Sequence, residues 1–426
     1  MGENRMKTRR DAPWLALAIL TGIATVGFVD RIVVNVLVEP LKAEFGLTDT
    51  QVSLLGFAFA ALNIGLAIVV ARIAERVRRL TLISAGTMLW SLATAACGWA
   101  ASWPQLLVAR MGVGLGEAVG LPGNQSVVAD YFPPNKRGLA ISCLLLSPPL
   151  GAFIGFVGGG WVAQNYDWRF TFFIAAVPGV ILAILAWLFI AEPPRGRHDI
   201  GASDEVPPLW HVVKRLFGLP SARHLVIGSA LAATLGFGIN YFFTALMMRK
   251  FALGIGEAGL YAGVIASLPA AISVVLSGWL GDKFGEKHPA AYALVPGVCL
   301  LIGGPLYAFA ITRADLAVLL ALVSVSTVFM FGYLGITYAA LQNLMHPRMR
   351  ATASALLGAV YGIASGAGPV VVGFLSDRLA PDYGAGQGLA YAMALTALAY
   401  IWAGAHYFLA ARRLAADQAR VRGEDG

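Results

Sequence analysis

Charge is scarce in this chain. Only 13% of its 426 residues are Asp, Glu, Lys or Arg, about half of the ~25% that a soluble domain carries. That shortage excludes an ordinary water-soluble protein. Cysteine is scarcer still. Cys97, Cys143 and Cys299 all fall within apolar runs and have no CxxC spacing, which excludes a disulfide framework and a thiolate metal site and leaves small apolar packing as their role. The chain also has no GxxxxGK[ST] and no HExxH. Gly112-Val-Gly-Leu-Gly116 is not a dinucleotide fingerprint, because the spacing is wrong and no strand precedes it. No nucleophile–base pair or metal constellation is evident, so an enzyme is not expected.

What fills the chain is apolar sequence. It is 58% hydrophobic, with a mean hydropathy of +0.72. The apolar residues come in blocks of roughly 20 to 25, the length that crosses a bilayer as helix. The expected class is therefore all-α and polytopic, with helices at 14–38, 51–74, 80–102, 104–131, 137–164, 169–190, 223–249, 257–281, 289–312, 315–344, 350–377 and 388–411. These are called spans 1 to 12 below. A charged, proline-rich stretch, 192–222, divides an N-terminal six-helix bundle (1–191) from a C-terminal one (223–426) with a short tail. The basic N-terminus before span 1 imitates a signal peptide. The run is too long and contains Asp30-Arg31, so a retained helix is expected. Gly2 lacks the Ser or Thr that myristoylation needs, because Met6 stands there. Asn124-Gln-Ser126 falls inside span 4 and is discounted as a glycosylation site.

The net charge of +8 would suggest nucleic acid in a soluble protein. Here it is distributed as the positive-inside rule requires. With both termini cytoplasmic, 23 Lys and Arg lie on the cytoplasmic side and 6 on the other; the remaining two, Arg31 and Arg110, lie within spans. No nucleic-acid partner is expected, and the expected location is a bacterial inner membrane.

The halves repeat. Ala71-Arg-Ile-Ala-Glu-Arg-Val-Arg-Arg79 follows span 2 and Gly278-Trp-Leu-Gly-Asp-Lys-Phe-Gly-Glu-Lys287 follows span 8, with Glu75 and Asp282 equivalent at a separation of 207. Lys136-Arg-Gly-Leu-Ala and Met349-Arg-Ala-Thr-Ala open spans 5 and 11. A parallel repeat predicts a site near the midplane between the bundles, with rocking about it. These loops and the 6+6 arrangement resemble the major facilitator superfamily over essentially the whole chain. The second loop fits its G-x-x-x-D-[RK]-x-G-x-[RK] pattern. The first departs at Ala71, Glu75 and Arg78, keeping the acid and basic cluster but not the close packing that glycines permit. Within that superfamily the first half resembles the spinster-like transporters. The resemblance rests on Asp30-Arg31, Gly46-Leu-Thr-Asp-Thr-Gln51, Arg110-Met-Gly-Val-Gly-Leu-Gly-Glu-Ala118, and Ala129-Asp-Tyr-Phe-Pro133 followed by Arg137. The Asp-Arg pair and the Arg…Gly-Glu-Ala segment also resemble anion:cation symporters of sugar acids. The resemblance implies proton-coupled movement of amphiphilic lipids such as lysophospholipids and sphingolipid phosphates, by alternating access. Without an ATP site the energy must come from a gradient, so protons and a lipid-like molecule are the expected partners, and no cofactor is expected. The chain is expected to act as a monomer among membrane lipids.

Four ionisable residues sit where lipid-facing chemistry forbids them: Asp30 and Arg31 in span 1, Arg110 and Glu117 in span 4. Charges at such depth mark ion or substrate pathways. At 1.5 Å per residue, Asp30 lies about 12 Å and Arg110 about 9 Å below the outer face, so an Asp30–Arg110 pair is feasible. Glu117, two turns past Arg110 on the same face, lies about 20 Å in. Arg31 is turned about 100° from Asp30 and cannot share its direction. Glu117 is the expected proton carrier, since a carboxyl near the midplane is desolvated unless water or a cation reaches it. Asp30 is a second carrier or the partner that holds Arg110, while Arg31 and Arg110 attract an anionic head group. The alternative is a purely structural charge network tying span 1 to span 4.

The second half has no charge deep in a span. Spans 1, 4, 7 and 10 line the cavity in the superfamily resembled, which makes Asn240, Tyr241, Tyr338 and Gln342 candidate substrate contacts, with Phe237, Phe242, Phe329 and Phe331 for an acyl chain. Ordinary interhelical hydrogen bonds are the alternative. Glu75, Arg76, Arg79, Asp130, Arg137, Asp282, Lys283 and Arg350, at cytoplasmic helix ends, are expected to be gating or topology charges. A second reading, a symporter of small organic anions such as sugar acids, requires polar groups on both halves. A third, a non-transporting sensor, leaves the buried acids without a purpose.

Overall fold

A computed structural model describes the chain apart from residues 1–11, 67–68, 71–72, 74–76, 196, 198–208, 286, 347–348 and 425–426. It is helical throughout, as hydrocarbon requires: a helix satisfies its own backbone N–H and C=O groups where no water can. The first part contains α1 (Pro13–Val36), α2 (Val38–Phe45), α3 (Asp49–Gly65), α4 (Arg79–Gly98), α5 (Trp103–Glu117), α6 (Gly120–Tyr131), α7 (Pro134–Leu144), α8 (Ser147–Asn165) and α9 (Trp168–Phe189). Then follow α10 (Leu209–Gly218), α11 (Pro220–Phe251), α12 (Ile255–Gly285), α13 (Ala291–Ile311), α14 (Leu316–Met330), α15 (Leu334–Asn343), α16 (Arg350–Tyr383), α17 (Ala385–Leu398) and α18 (Tyr400–Glu424).

Among the described residues ten helical stretches are long and apolar enough to cross a membrane, and the pair α2–α3, bent by 116°, adds an eleventh. The twelfth of the expected spans, span 4, is broken into α5 and α6 at Ala118-Val119. Pro122 has no amide hydrogen to give to Ala118, which ends the ladder there. Span 5 breaks for the same reason at Leu145-Leu146, ahead of Pro148 and Pro149. Two segments expected to be loops contain helix. Glu39 to Phe45 lies in α2, which Gly46 ends in the left-handed conformation at φ 63°. The 192–222 stretch contains α10, which buries Val212 and Leu216 while Leu209, Trp210 and Phe217 stay exposed; such an apolar outer face suits the membrane interface.

The chain forms two compact units. The first comprises Met1–Leu47, Leu54–Ser203 and Leu253–Gly263; the second Thr48–Ser53, Asp204–Ala252 and Val264–Gly426. In the first, α1 packs against α8 and α9, and α4 against α5 and α9. Its core includes Leu20, Ile23, Phe59, Trp90, Val113 and Phe132. In the second, α11 packs against α16 and α18, and α13 against α14 and α18. Its interior holds the hydroxyl-bearing rings Tyr333, Tyr400 and Tyr407, the last within 2.5 Å of Thr337 Oγ1.

Candidate functional site

The four charges of the first unit form two ion pairs. Asp30 Oδ2 accepts from Arg110 Nη1 at 2.9 Å, and its Oδ1 accepts from Thr94 Oγ1 at 2.6 Å. Both charged side chains are sealed, 1% and 2% exposed. The depth arithmetic anticipates this pair. It does not anticipate the second: Arg31 gives Nε at 2.7 Å and Nη2 at 2.6 Å to Glu117 Oε2. The 100° that separates Arg31 from Asp30 turns it towards a different partner on the same neighbouring helix. Helical side chains lean towards the helix N-terminus, and one turn back from Arg31 stands Gly27. A Cβ there would lie 3.7 Å from the Glu117 carboxyl carbon. The missing side chain leaves a notch in α1 where Glu117 rests within reach of the leaning guanidinium.

The two pairs differ in access. The Arg31 side chain is 39% exposed and Glu117 only 2%. Both Arg31 bonds fall on Oε2, and Glu117 Oε1 makes no hydrogen bond among the described residues. Phe59 of α3 stands between the pairs, with the Arg31 Cζ 5.1 Å and the Arg110 Cζ 5.3 Å from its ring centroid. Stacking of this kind satisfies guanidinium faces that water cannot reach. Glu117 is the last residue of α5, immediately before the break at Ala118.

The glycines around the site are close-approach positions. A Cβ on Gly114 would fall 2.3 Å from the Phe59 carbonyl oxygen. Gly114→Ala is therefore expected to cost about 1–3 kcal/mol by overpacking, measured as a lower thermal unfolding midpoint of the solubilised protein. Gly120→Ala, whose Cβ would meet nothing within 4 Å, is the control.

The remaining candidates are scattered. The Tyr241 hydroxyl is buried and donates to the Val52 carbonyl at 2.8 Å, so it holds a helix and is not open to a ligand. Phe242 is fully buried in the core of its unit, unlike Phe237, which is 44% exposed. Asn240 is half-buried and engaged with a neighbour. Tyr338 stacks edge-on to Tyr361 at 5.9 Å. Gln342 is exposed and donates to Ser354 Oγ at 3.3 Å. Arg79 is a hub, bonding Asp130 at 2.5 Å, Glu192 at 2.9 Å, Ser126 at 2.9 Å and the Pro193 carbonyl at 3.1 Å. Asp282 accepts from the Tyr292 hydroxyl at 3.0 Å, Lys283 lies over Trp279, and Arg350 donates to the Met345 carbonyl at 3.4 Å. Arg137 is half-buried. Glu75 and Arg76 lie outside the described residues.

Thr94, Phe59 and Glu192 complete these clusters and escape a reading of the sequence, because a lone Thr or Phe in an apolar run carries no signal. Glu192 was visible only as part of a charged stretch. In the second unit His224 and His406, from opposite ends of the chain half, bring their Nδ1 atoms to 2.9 Å.

Residues 19–369 match the Major Facilitator Superfamily. An MFS-type efflux pump of Mycolicibacterium smegmatis is 31% identical over 413 residues, 95% of this chain and 94% of its own length. The D-galactonate transporter of Escherichia coli is 25% identical over 91% of this chain and 94% of its own. A sphingosine-1-phosphate transporter of Danio rerio is 24% identical over 93% and 84%. The crystal structure of a bacterial homologue of the human lysosomal transporter Spinster, inward-facing and unoccupied, superposes with a TM-score of 0.87 at 30% identity, covering 95% of this chain and 98% of that one. The chain thus belongs to the Major Facilitator Superfamily of membrane transporters, and within it stands with the spinster-like proteins.

Proposed function

We propose that this transporter moves an amphiphilic anion or zwitterion, of the lysophospholipid or sphingolipid-phosphate kind, coupled to protons. The observation that carries the reading is the Arg31–Glu117 pair, one member open and the other buried. An anionic head group that reaches Arg31 competes with Glu117 for the guanidinium. Once Arg31 turns away, Glu117 is a buried charge without a cation, a costly state. A proton on Oε1, the oxygen with no hydrogen bond among the described residues, removes that cost. Anion and proton therefore bind with positive coupling, and by linkage each raises the affinity for the other equally. Arg110, sealed against Asp30, takes the part of a brace in this reading. Phe237, Asn240 and Tyr338 are the candidates in the second half to meet the remainder of the substrate.

The placement that accompanies this reading is a bacterial inner membrane with both termini cytoplasmic, supported by the 23-to-6 distribution of Lys and Arg. The working unit is one chain of two bundles, 1–191 and 223–426, joined by 192–222. A thermal-shift screen with lysophospholipids, sphingoid phosphates and sugar acids tests the substrate class, since a ligand bound to the folded state raises its stability. Stabilisation by the lipids is expected, abolished in Arg31→Gln. Stabilisation by sugar acids alone would replace this reading with the small-anion symporter to which the D-galactonate relative points.

A further inference from the structure

Four hydroxyls from four spans meet inside the second unit: Ser229 of span 7, Thr337 of span 10, Tyr361 of span 11 and Tyr407 of span 12. Ser229, Thr337 and Tyr407 are fully buried, and Tyr361 is 8% exposed. The Thr337 and Tyr407 hydroxyl oxygens lie 2.5 Å apart. The Ser229 and Thr337 side chains face the Tyr361 hydroxyl, and Ser229 also faces that of Tyr407. The Tyr361 ring is pinned by two edge-on neighbours, Tyr333 at 6.2 Å and Tyr338 at 5.9 Å.

The hydrogens of this cluster can be counted. Ser229 gives its hydrogen to the Val226 carbonyl at 3.1 Å, and Thr337 gives its own to the Tyr333 carbonyl at 2.6 Å. Tyr407 must therefore be the donor in its contact with Thr337. The fourth hydrogen, on Tyr361, meets no acceptor among the described residues. Each hydroxyl oxygen can accept as well as donate, so Ser229 and Tyr407 still have lone pairs to offer. A buried hydroxyl left without a partner is destabilising. The group that completes this cluster must accept one hydrogen and give two. Water has that inventory in the space of one oxygen atom, and buried waters typically make about three hydrogen bonds.

The backbone beside the cluster points the same way. Span 10 is interrupted at 331–333, between α14 and α15, and Thr337 follows one turn later. An inserted water is one of the few causes of such a break.

We propose that Ser229, Tyr361 and Tyr407 bind one structural water. It accepts from the Tyr361 hydroxyl and donates to the Ser229 and Tyr407 oxygens, and through the Tyr407–Thr337 bond it ties spans 7, 11 and 12 to span 10. The site lies wholly within the second unit and rests on neither the substrate nor the proton assignment.

The experiment uses the full chain in detergent and reads the sign of a stability change. With the water in place, Tyr361→Phe removes one of its partners, and the unfolding midpoint should fall. In a dry cluster the same change deletes an unsatisfied buried group, and the midpoint should stay or rise. Ser229→Ala should also lower it, and the two changes together should cost less than their sum, because they share one water. Hydroxyl-radical labelling by X-ray radiolysis is the direct readout, since a bound water marks the side chains that it touches even where they are buried. Tyr361 and Tyr407 should be labelled well above Phe242, which is fully buried among apolar neighbours. If Tyr361→Phe fails to accumulate, Ser229→Ala and the labelling decide. An equal or higher midpoint in a folded Tyr361→Phe protein overturns the site, as does labelling of Tyr361 and Tyr407 no greater than that of Phe242.

Discussion

Glu117→Gln should leave a folded transporter that no longer responds to a proton gradient. The amide matches the carboxylate in size, so the notch over Gly27 stays filled. Arg31 loses its counter-ion, but its side chain is 39% exposed and can be solvated where it stands. The variant therefore avoids the severe cost of an unpaired buried charge. What disappears is the competition between proton and guanidinium for one carboxylate. In the parent, substrate affinity should shift with pH by a coupling factor on the order of 5- to 150-fold. In Glu117→Gln that factor should fall to about one. Gradient-driven uptake should drop to background, while exchange of labelled for unlabelled substrate, which needs no net proton movement, should persist. Undiminished pH-driven uptake by Glu117→Gln would remove this residue from the coupling step. Arg31→Gln provides the contrast, because it should weaken substrate binding at every pH.

The spans and the Asp30–Arg110 pair were legible because both follow from rise per residue. Apolar run lengths set the helices, and two depths counted from helix ends bring Asp30 to Arg110. Counting along an axis says nothing of side-chain length or lean, which is why Arg31 looked turned aside when it reaches back one turn to Glu117. The break after Glu117 had a visible cause in Pro122, yet an apolar window passes over it. The second unit's polar interior was invisible. Tyr333 lies far in the sequence from Tyr400 and Tyr407, each stands in an apolar setting, and only packing assembles the three. Asp49 and Arg249 were hidden for the opposite reason: charges at helix ends read as topology signals, and nothing local distinguishes a solvated one from the 3%-exposed Asp49 carboxylate, which Arg249 Nη2 meets at 2.6 Å.

Replacing either member of the Asp30–Arg110 pair alone should be far more damaging than replacing both. Arg110→Met leaves the Asp30 carboxylate, inside a sealed site, with Thr94 as its one donor among the described residues. Asp30→Leu strands a guanidinium that is 2% exposed and already has an Nε without a partner among the described residues. Breaking a buried pair in this way costs about 3–5 kcal/mol, whereas exchanging both partners for apolar groups of similar volume is often neutral. The single variants should be recovered poorly and unfold at markedly lower temperature, and Asp30→Leu/Arg110→Met should return most of that loss. The double variant then separates two roles that stability alone cannot. If the pair braces span 1 against span 4 while Glu117 carries the proton, the refolded double variant binds substrate with its pH dependence intact, the expected result. A double variant that folds and binds but has lost that dependence would instead place a proton on Asp30, because Arg110, the other ionisable group replaced, keeps its proton at any working pH.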